Sequence, residues 1–96
     1  MGALRLTPSD LHAHLAARMA QRGVSSDEIE EVVNTGWPAT DMKPGVEGRV
    51  KVFPYNAGWE GKLFSEKEVT VYYKCEEGRI VVLTVKARYG SGFPRG

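Results

Sequence analysis

Cysteine is almost missing from this 96-residue chain. Cys75 stands alone, so no disulfide can form within it, and a lone thiol fits a reducing compartment. Long apolar runs are missing too. No stretch approaches the roughly 18 residues that a membrane-spanning helix needs. The opening MGALRLTPSD lacks the apolar core of a signal peptide, so a cytoplasmic protein with no membrane partner is expected. Charge of one sign is not in excess: 13 basic and 12 acidic residues leave a net charge of +1. A chain that grips many phosphates usually carries more positive charge than this. An extended nucleic-acid surface is thereby disfavoured, although a small basic pocket remains open. There is no Gly-rich phosphate loop, nucleophile elbow or paired-carboxylate motif, and no cofactor is expected.

What is present suits one globular domain spanning residues 1–96, with 42% apolar and 26% charged residues to build a core and solvate it. Thr7 can cap a helix, Pro8 fits its first position, and Asp10 places negative charge where the dipole favours it. Leu6 and Leu11 stand at the spacing of a hydrophobic staple. The pattern predicts a helix from about Pro8 to Arg22, closed by Gly23 in the left-handed conformation. Ser25-Ser26-Asp27-Glu28 is a capping box with Val24 and Ile29 as its staple. Ile29, Val32 and Val33 give a short apolar stripe, and Asn34-Thr35-Gly36 stops that second helix before Pro38.

Trp37 to Gly48 reads as loop, with Pro38, Pro44, Gly45 and Gly48 as breakers. Arg49–Phe53 alternates as a strand with Val50 and Val52 toward the core. Pro54–Gly61 is rich in turn formers and is expected to be an exposed loop anchored by Tyr55 and Trp59, with a short strand at Lys62–Phe64. Val69–Cys75 and Ile80–Val85 are β-branched and aromatic, with a hairpin at Glu77-Gly78. That turn sets Cys75 opposite Ile80, Tyr73 opposite Val82 and Val71 opposite Thr84. The last strand, apolar on both faces, is expected inside the sheet. At its end Thr84, Lys86 and Arg88 point one way, Ala87 and Tyr89 the other. Residues 90–96 are expected to be a flexible tail. The order gives an α+β fold: two amino-terminal helices packed on a three- to four-stranded antiparallel sheet.

The residues with chemistry to offer lie along the first helix. At 3.6 residues per turn His14, Arg18 and Arg22 share one row, along the edge of the apolar row Leu11, Leu15 and Met19. Metal-free RNA cleavage needs a group to take the 2′-hydroxyl proton, one to protonate the leaving oxygen, and cations on the phosphate. His14 suits the proton transfers, and Arg18 and Arg22 suit the phosphate. Lys86 and Arg88 would approach from the sheet. Equally, Arg18 and Arg22 could pair with acids such as Glu28 or Glu31 or cap carbonyls, with His14 filling a partly buried slot. Tyr72 and Tyr73 point to opposite faces, so one is buried and the other is free to stack on a base. Tyr73 joins Thr84, Lys86 and Arg88 as a candidate for substrate binding. On a helix His12 and His14 diverge by roughly 200°, which prevents a shared metal ion. Cys75 lacks a partner and reads as a small core residue, so no metal site is expected.

The pattern His-x3-Arg-Met-x2-Arg-Gly-Val-Ser from His14 to Ser25, the acidic short helix after it and the closing strand Ile80–Val85 resemble a group of small bacterial domains with a HxxxRMxxRG-type helix. That group is similar in layout to RelE-like and BrnT-like toxins, within the broader barnase, EndoU, colicin and RelE-like ribonuclease fold. The resemblance covers Leu11 to Asn34 and Val69 to Val85; the stretch from Trp37 to Gly61 is longer than the group's. It implies a metal-independent endoribonuclease acting on RNA, with a cognate antitoxin-like protein or a second copy as partner. The near-neutral charge departs from the basic character of RelE-like toxins. Two classes therefore stand: a toxin-like ribonuclease with His14, Arg18 and Arg22 at its centre, or a non-catalytic binding or regulatory module of the same fold.

Overall fold

Thr7 and Pro8 do start helical structure, but only for one 3-10 turn, Pro8–Asp10, in a computed structural model that describes residues 4–96. The first three residues, part of the stretch read above for a signal peptide, lie outside the described residues. Where the sequence predicts one helix from Pro8 to Arg22, the chain breaks at Leu11, and helix α1 spans Ala13–Arg22. The cause is His12, whose backbone is extended and whose ring caps α1. Its Nδ1 accepts the Leu15 N–H at 3.3 Å, while its Nε2 lies 3.1 Å from the Val82 carbonyl. With Nδ1 accepting, Nε2 is the ring nitrogen left to donate to that carbonyl. His12 therefore stands outside the helix, and the divergence expected of two helical positions does not apply to it. The rings of His12 and His14 are nearly parallel, with centroids 6.2 Å apart.

Gly23, at φ +71°, closes α1 as predicted. A Cβ there would also lie within 2.9 Å of the Trp59 ring and the Tyr89 hydroxyl, so the position needs glycine twice over. Helix α2 spans Ser26–Thr35 behind the predicted capping box: Glu28 N–H donates to Ser25 Oγ at 3.1 Å, and Ser25 N–H to Glu28 Oε1 at 3.0 Å.

The sheet is a four-stranded antiparallel meander, β1 (Trp37–Pro38), β2 (Glu47–Trp59), β3 (Lys62–Glu76) and β4 (Arg79–Gly90), in that spatial order. The strands are longer than the sequence predicts. Pro54–Trp59 continues β2 instead of looping out, and Glu60-Gly61, both at positive φ, turns directly into β3. Strand β4 is an edge strand, contrary to the interior place its apolar run suggests; α1 packs along it. The Glu77-Gly78 turn is as expected, and Cys75 faces Ile80 and Tyr73 faces Val82. Beyond them Leu83 is an extra residue in β4, so Tyr72 faces Thr84 and Val71 faces Val85 rather than Thr84.

Alternation along β3 places Lys67, Val69, Val71 and Tyr73 under the helices and Glu66, Glu68, Thr70 and Tyr72 on the opposite, helix-free face. The core joins Leu15 of α1 and Ile29, Val32 and Val33 of α2 to Val69, Val71, Tyr73, Val82 and Val85. Val50 and Val52 pair with Thr70 and Glu68, and so lie on the helix-free face rather than in this core. Basic residues of β2 face α2 instead. Arg49 donates to the Gly36 carbonyl at 2.9 Å, and Lys51 pairs with Glu31 at 2.7 Å, their stems lying over the sheet.

At the helix corner Lys67, only 4% exposed, is held by both carboxylate oxygens of Glu28 at 2.8 and 3.0 Å and by the Gly23 carbonyl. Tyr55, Trp59 and Phe64 gather around Tyr89, with Trp59 stacked on it at 4.6 Å. Tyr55 and Trp59 thus serve as the expected anchors, although from a strand.

Two predictions follow from these contacts. Removing Glu28 strands a buried ammonium and opens the capping box, so Glu28→Ala should cost about 3 kcal/mol or more in urea unfolding at neutral pH. Lys67→Met leaves Glu28 its Ser25 partner and some access to water, and should cost less. Replacing the cap in His12→Ala should cost about 1 kcal/mol, most of it regained in His12→Asn, whose side-chain oxygen can accept the Leu15 N–H.

Candidate functional site

The helix-free face of the sheet carries a polar row on each of two neighbouring strands: Glu66, Glu68, Thr70 and Tyr72 on β3, and Thr84, Lys86 and Arg88 on β4. Three pairs form across the ladder, Glu68 with Arg88, Thr70 with Lys86 and Tyr72 with Thr84, while Glu66 faces Gly90. Residues 39–46 lie against one end of this face. Ala39 N–H donates to the Gly48 carbonyl at 2.9 Å, and the absent Cβ of Gly48 makes room for Ala39 and Met42. Lys43-Pro44-Gly45-Val46 turns tightly, with Gly45 at φ +82° and Val46 N–H on the Lys43 carbonyl.

The turn delivers Asp41 to the middle of the face. Its carboxylate accepts the Tyr72 hydroxyl at 2.9 and 3.0 Å and the Lys86 ammonium at 2.8 Å, and that ammonium sits 5.4 Å from the Tyr72 ring centroid. The Lys86 hydrogen bond, then that of Tyr72, holds the Asp41 carboxyl below its ordinary pKa. Burial, and secondarily Asp41, pushes the Tyr72 hydroxyl up, while the Asp41 and Tyr72 hydrogen bonds raise Lys86. Asp41 separates two hollows. One, of about 360 Å³, lies over Val50, Glu68, Thr70, Lys86 and Arg88. The other, of about 280 Å³, lies over Lys43, Val46, Tyr72, Leu83 and Thr84. Thr70 is 5% exposed and lines the first hollow, and its hydroxyl makes no hydrogen bond among the described residues.

The sequence-predicted constellation is only partly brought together. His14 Nε2 reaches Thr84 Oγ1 at 3.2 Å, and Lys86 and Arg88 follow Thr84 along the same face. Arg18 and Arg22 line neither hollow. Arg18 donates to Gln21 on its own helix at 3.3 Å, and the Arg22 carbonyl accepts the Tyr89 hydroxyl at 2.6 Å. The acids weighed as their partners, Glu28 and Glu31, pair with Lys67 and Lys51 instead. Tyr73 is 5% exposed in the core, so Tyr72 is the tyrosine that presents its hydroxyl. Arg88 Nε donates to Glu68 at 2.8 Å, which stabilises its charge. Cys75, read as a core residue, is exposed near the hairpin end. Local desolvation and the nearby Glu47 carboxylate hold its thiol above the ordinary pKa.

Asp41, Glu68 and Thr70 are the site residues that sequence reasoning passed over, and of the pair Tyr72 and Tyr73 it names the buried one. For Tyr72 the signal is strand alternation, which turns it away from Tyr73 and the apolar Val82 that Tyr73 faces; for Asp41, in a segment without periodicity, there is none. Among the described residues no group of three or more His, Cys, Asp or Glu side chains gathers to hold a metal ion, and no helix is long and apolar enough to cross a membrane. Compared with protein-family models, curated proteins and solved structures, the chain matches none.

The Asp41 contact yields a prediction with a definite sign. A carboxyl whose folded pKa lies below its unfolded value contributes stability that is present above the unfolded value and lost as pH falls through the folded one. Followed by NMR, the Asp41 carboxyl should titrate below 3.8, and the Tyr72 ring signals should change with it. In Lys86→Met the midpoint should move up toward the ordinary value.

Proposed function

We propose that the chain is a non-catalytic binding module that acts through a partner protein, with the helix-free face of the sheet as its working surface. One observation carries this reading: the two strand cations of that face, Lys86 and Arg88, are already spoken for. Lys86 is neutralised by Asp41 and Arg88 by Glu68, while neither Arg18 nor Arg22, both on α1, lines the hollow beside them. A site that stabilises charge building on a phosphate keeps its donors aimed at the place where that charge develops. Here each would first have to leave a carboxylate. A neutral face lined with paired charges, a free hydroxyl and two hollows instead suits a ligand that presents both polar and charged groups, as a polypeptide does.

The ribonuclease reading rests on a different contact, the exposed His14 imidazole on Thr84, two residues from Lys86 on the same strand. Resemblance of the His14–Ser25 helix to toxin-like domains supports it as well. One assay separates the two. Purified protein is incubated with total RNA and a chelator, alongside His14→Ala and Lys86→Ala variants checked by thermal melts. The binding-module reading expects no cleavage above a protein-free control. Cleavage by the wild type that falls about 100-fold or more in folded His14→Ala would overturn it and establish general acid–base chemistry on RNA.

A further inference from the structure

The segment after β4, expected to be a flexible tail, is laid back over the end of the helix-free face away from Asp41. Gly92, at φ +69°, turns the chain, and Phe93 N–H donates to Glu66 Oε1 at 3.1 Å. Arg95 Nη2 donates to the other oxygen, Oε2, at 2.7 Å. The Phe93 ring lies 4.9 Å from the Arg88 guanidinium carbon. Gly90 leaves it room: a Cβ there would come within 3.1 Å of Phe93 Cζ. The Glu66 carboxyl is correspondingly held below its ordinary pKa, first by Arg95 and then by the Phe93 N–H.

These contacts amount to a recognition pattern. One carboxylate reads a backbone N–H and a guanidinium two residues apart, one guanidinium reads an aromatic face, and a missing side chain shapes the slot. Pro94 biases Phe93 toward an extended conformation, which suits a strand-like ligand. With only two residues between Gly90 and Phe93, the tethered segment gains a high local concentration, so it can occupy a site of modest intrinsic affinity. With Glu68 paired to Arg88, Glu66 is the carboxylate left unmatched at this end once Arg95 leaves, which disfavours a nucleic acid and favours a basic peptide.

Resting on the binding-module reading and naming its partner class, we propose that this end of the face docks an extended polypeptide of a partner protein. That polypeptide carries an aromatic residue and, two positions on, an arginine; Phe93-Pro94-Arg95 occupies the site in cis. A partner segment binds by displacing it.

The test uses the full chain with its own ligand disabled by Phe93→Ser and Arg95→Ser. A fluorophore-labelled peptide Ser-Gly-Phe-Pro-Arg-Gly is titrated in by anisotropy at low salt, with thermal melts confirming that each protein is folded. The peptide should bind the vacated chain saturably, and at least tenfold more weakly both to the intact chain and to the vacated chain carrying Glu66→Gln. A peptide with Ala in place of Phe or Arg should lose at least tenfold. No saturable binding to the folded, vacated chain overturns the proposal, as does equal binding to the Glu66→Gln form. Equal competition by a single-stranded oligonucleotide overturns the polypeptide assignment. An intact chain that sediments as a dimer, lost in the vacated variant, would make a second copy the occupant and overturn the partner-protein assignment. Failure of peptide binding without RNA cleavage removes only this ligand class, whereas cleavage removes the binding-module reading itself.

Discussion

Lys67 is a lysine in the middle of a central strand, facing the helices, and its ammonium is almost cut off from water. Such a group is tolerable only if its charge is matched and its donors are used. Glu28 supplies both oxygens, the Gly23 carbonyl supplies a third acceptor, and the Tyr55 and Tyr89 rings lie 5.8 and 5.7 Å away. Glu28 at the same time accepts the Ser25 N–H that starts α2. A single carboxylate therefore begins the second helix and fastens it to β3. The carbonyl of the corner glycine does the same for the turn between the helices. The tilt of both helices over the sheet, and hence where α1 meets β4, is tied to this one buried pair.

How much of this was legible in the sequence varies with the kind of signal. Capping chemistry was: Ser25–Glu28 and Gly23 specify the corner from residues alone, because the interactions are local. The Glu77-Gly78 turn was legible as well, yet the equivalent Glu60-Gly61 turn was hidden. Pro54, Asn56 and Gly58 just before it look like loop, whereas they accommodate a bulge within a continuing strand. The Pro8 start signals a longer helix than forms, since His12 interrupts it through contacts to Leu15 and to Val82, seventy residues away. No local rule contains that second contact.

The face of β2 was misassigned for a related reason. Val50 and Val52 look like a core pair, but α2 presents Glu31 and the Gly36 carbonyl, which the long stems of Lys51 and Arg49 reach while covering the sheet. For the site, alternation correctly put Lys86 and Arg88 on one side and Tyr72 and Tyr73 on opposite sides. What composition could not supply was the partner of each charge. Asp41 comes from the segment before β2 and Glu66 and Glu68 from β3, and their pairing depends on the register shift at Leu83 and on the fold of residues 39–46.

Strand β1 contributes only two residues, paired with Arg49 and Val50, so from Lys51 onward the outer margin of β2 has no strand beside it among the described residues. A bare margin of that length is a template on which another chain can add, and small sheets with such margins tend to associate into fibrous aggregates. Two of the residues that disguise this stretch as a loop, Pro54 and Asn56, help to spoil the template. Pro54 offers no N–H, the irregularity between Pro54 and Ala57 breaks the even spacing of donors, and Asn56 sits in the left-handed region. Lys51 adds a charge at the start of the margin. The irregular residues of β2 thus act as a guard on solubility, leaving the broad helix-free face available while the sheet's open side is closed to strand addition.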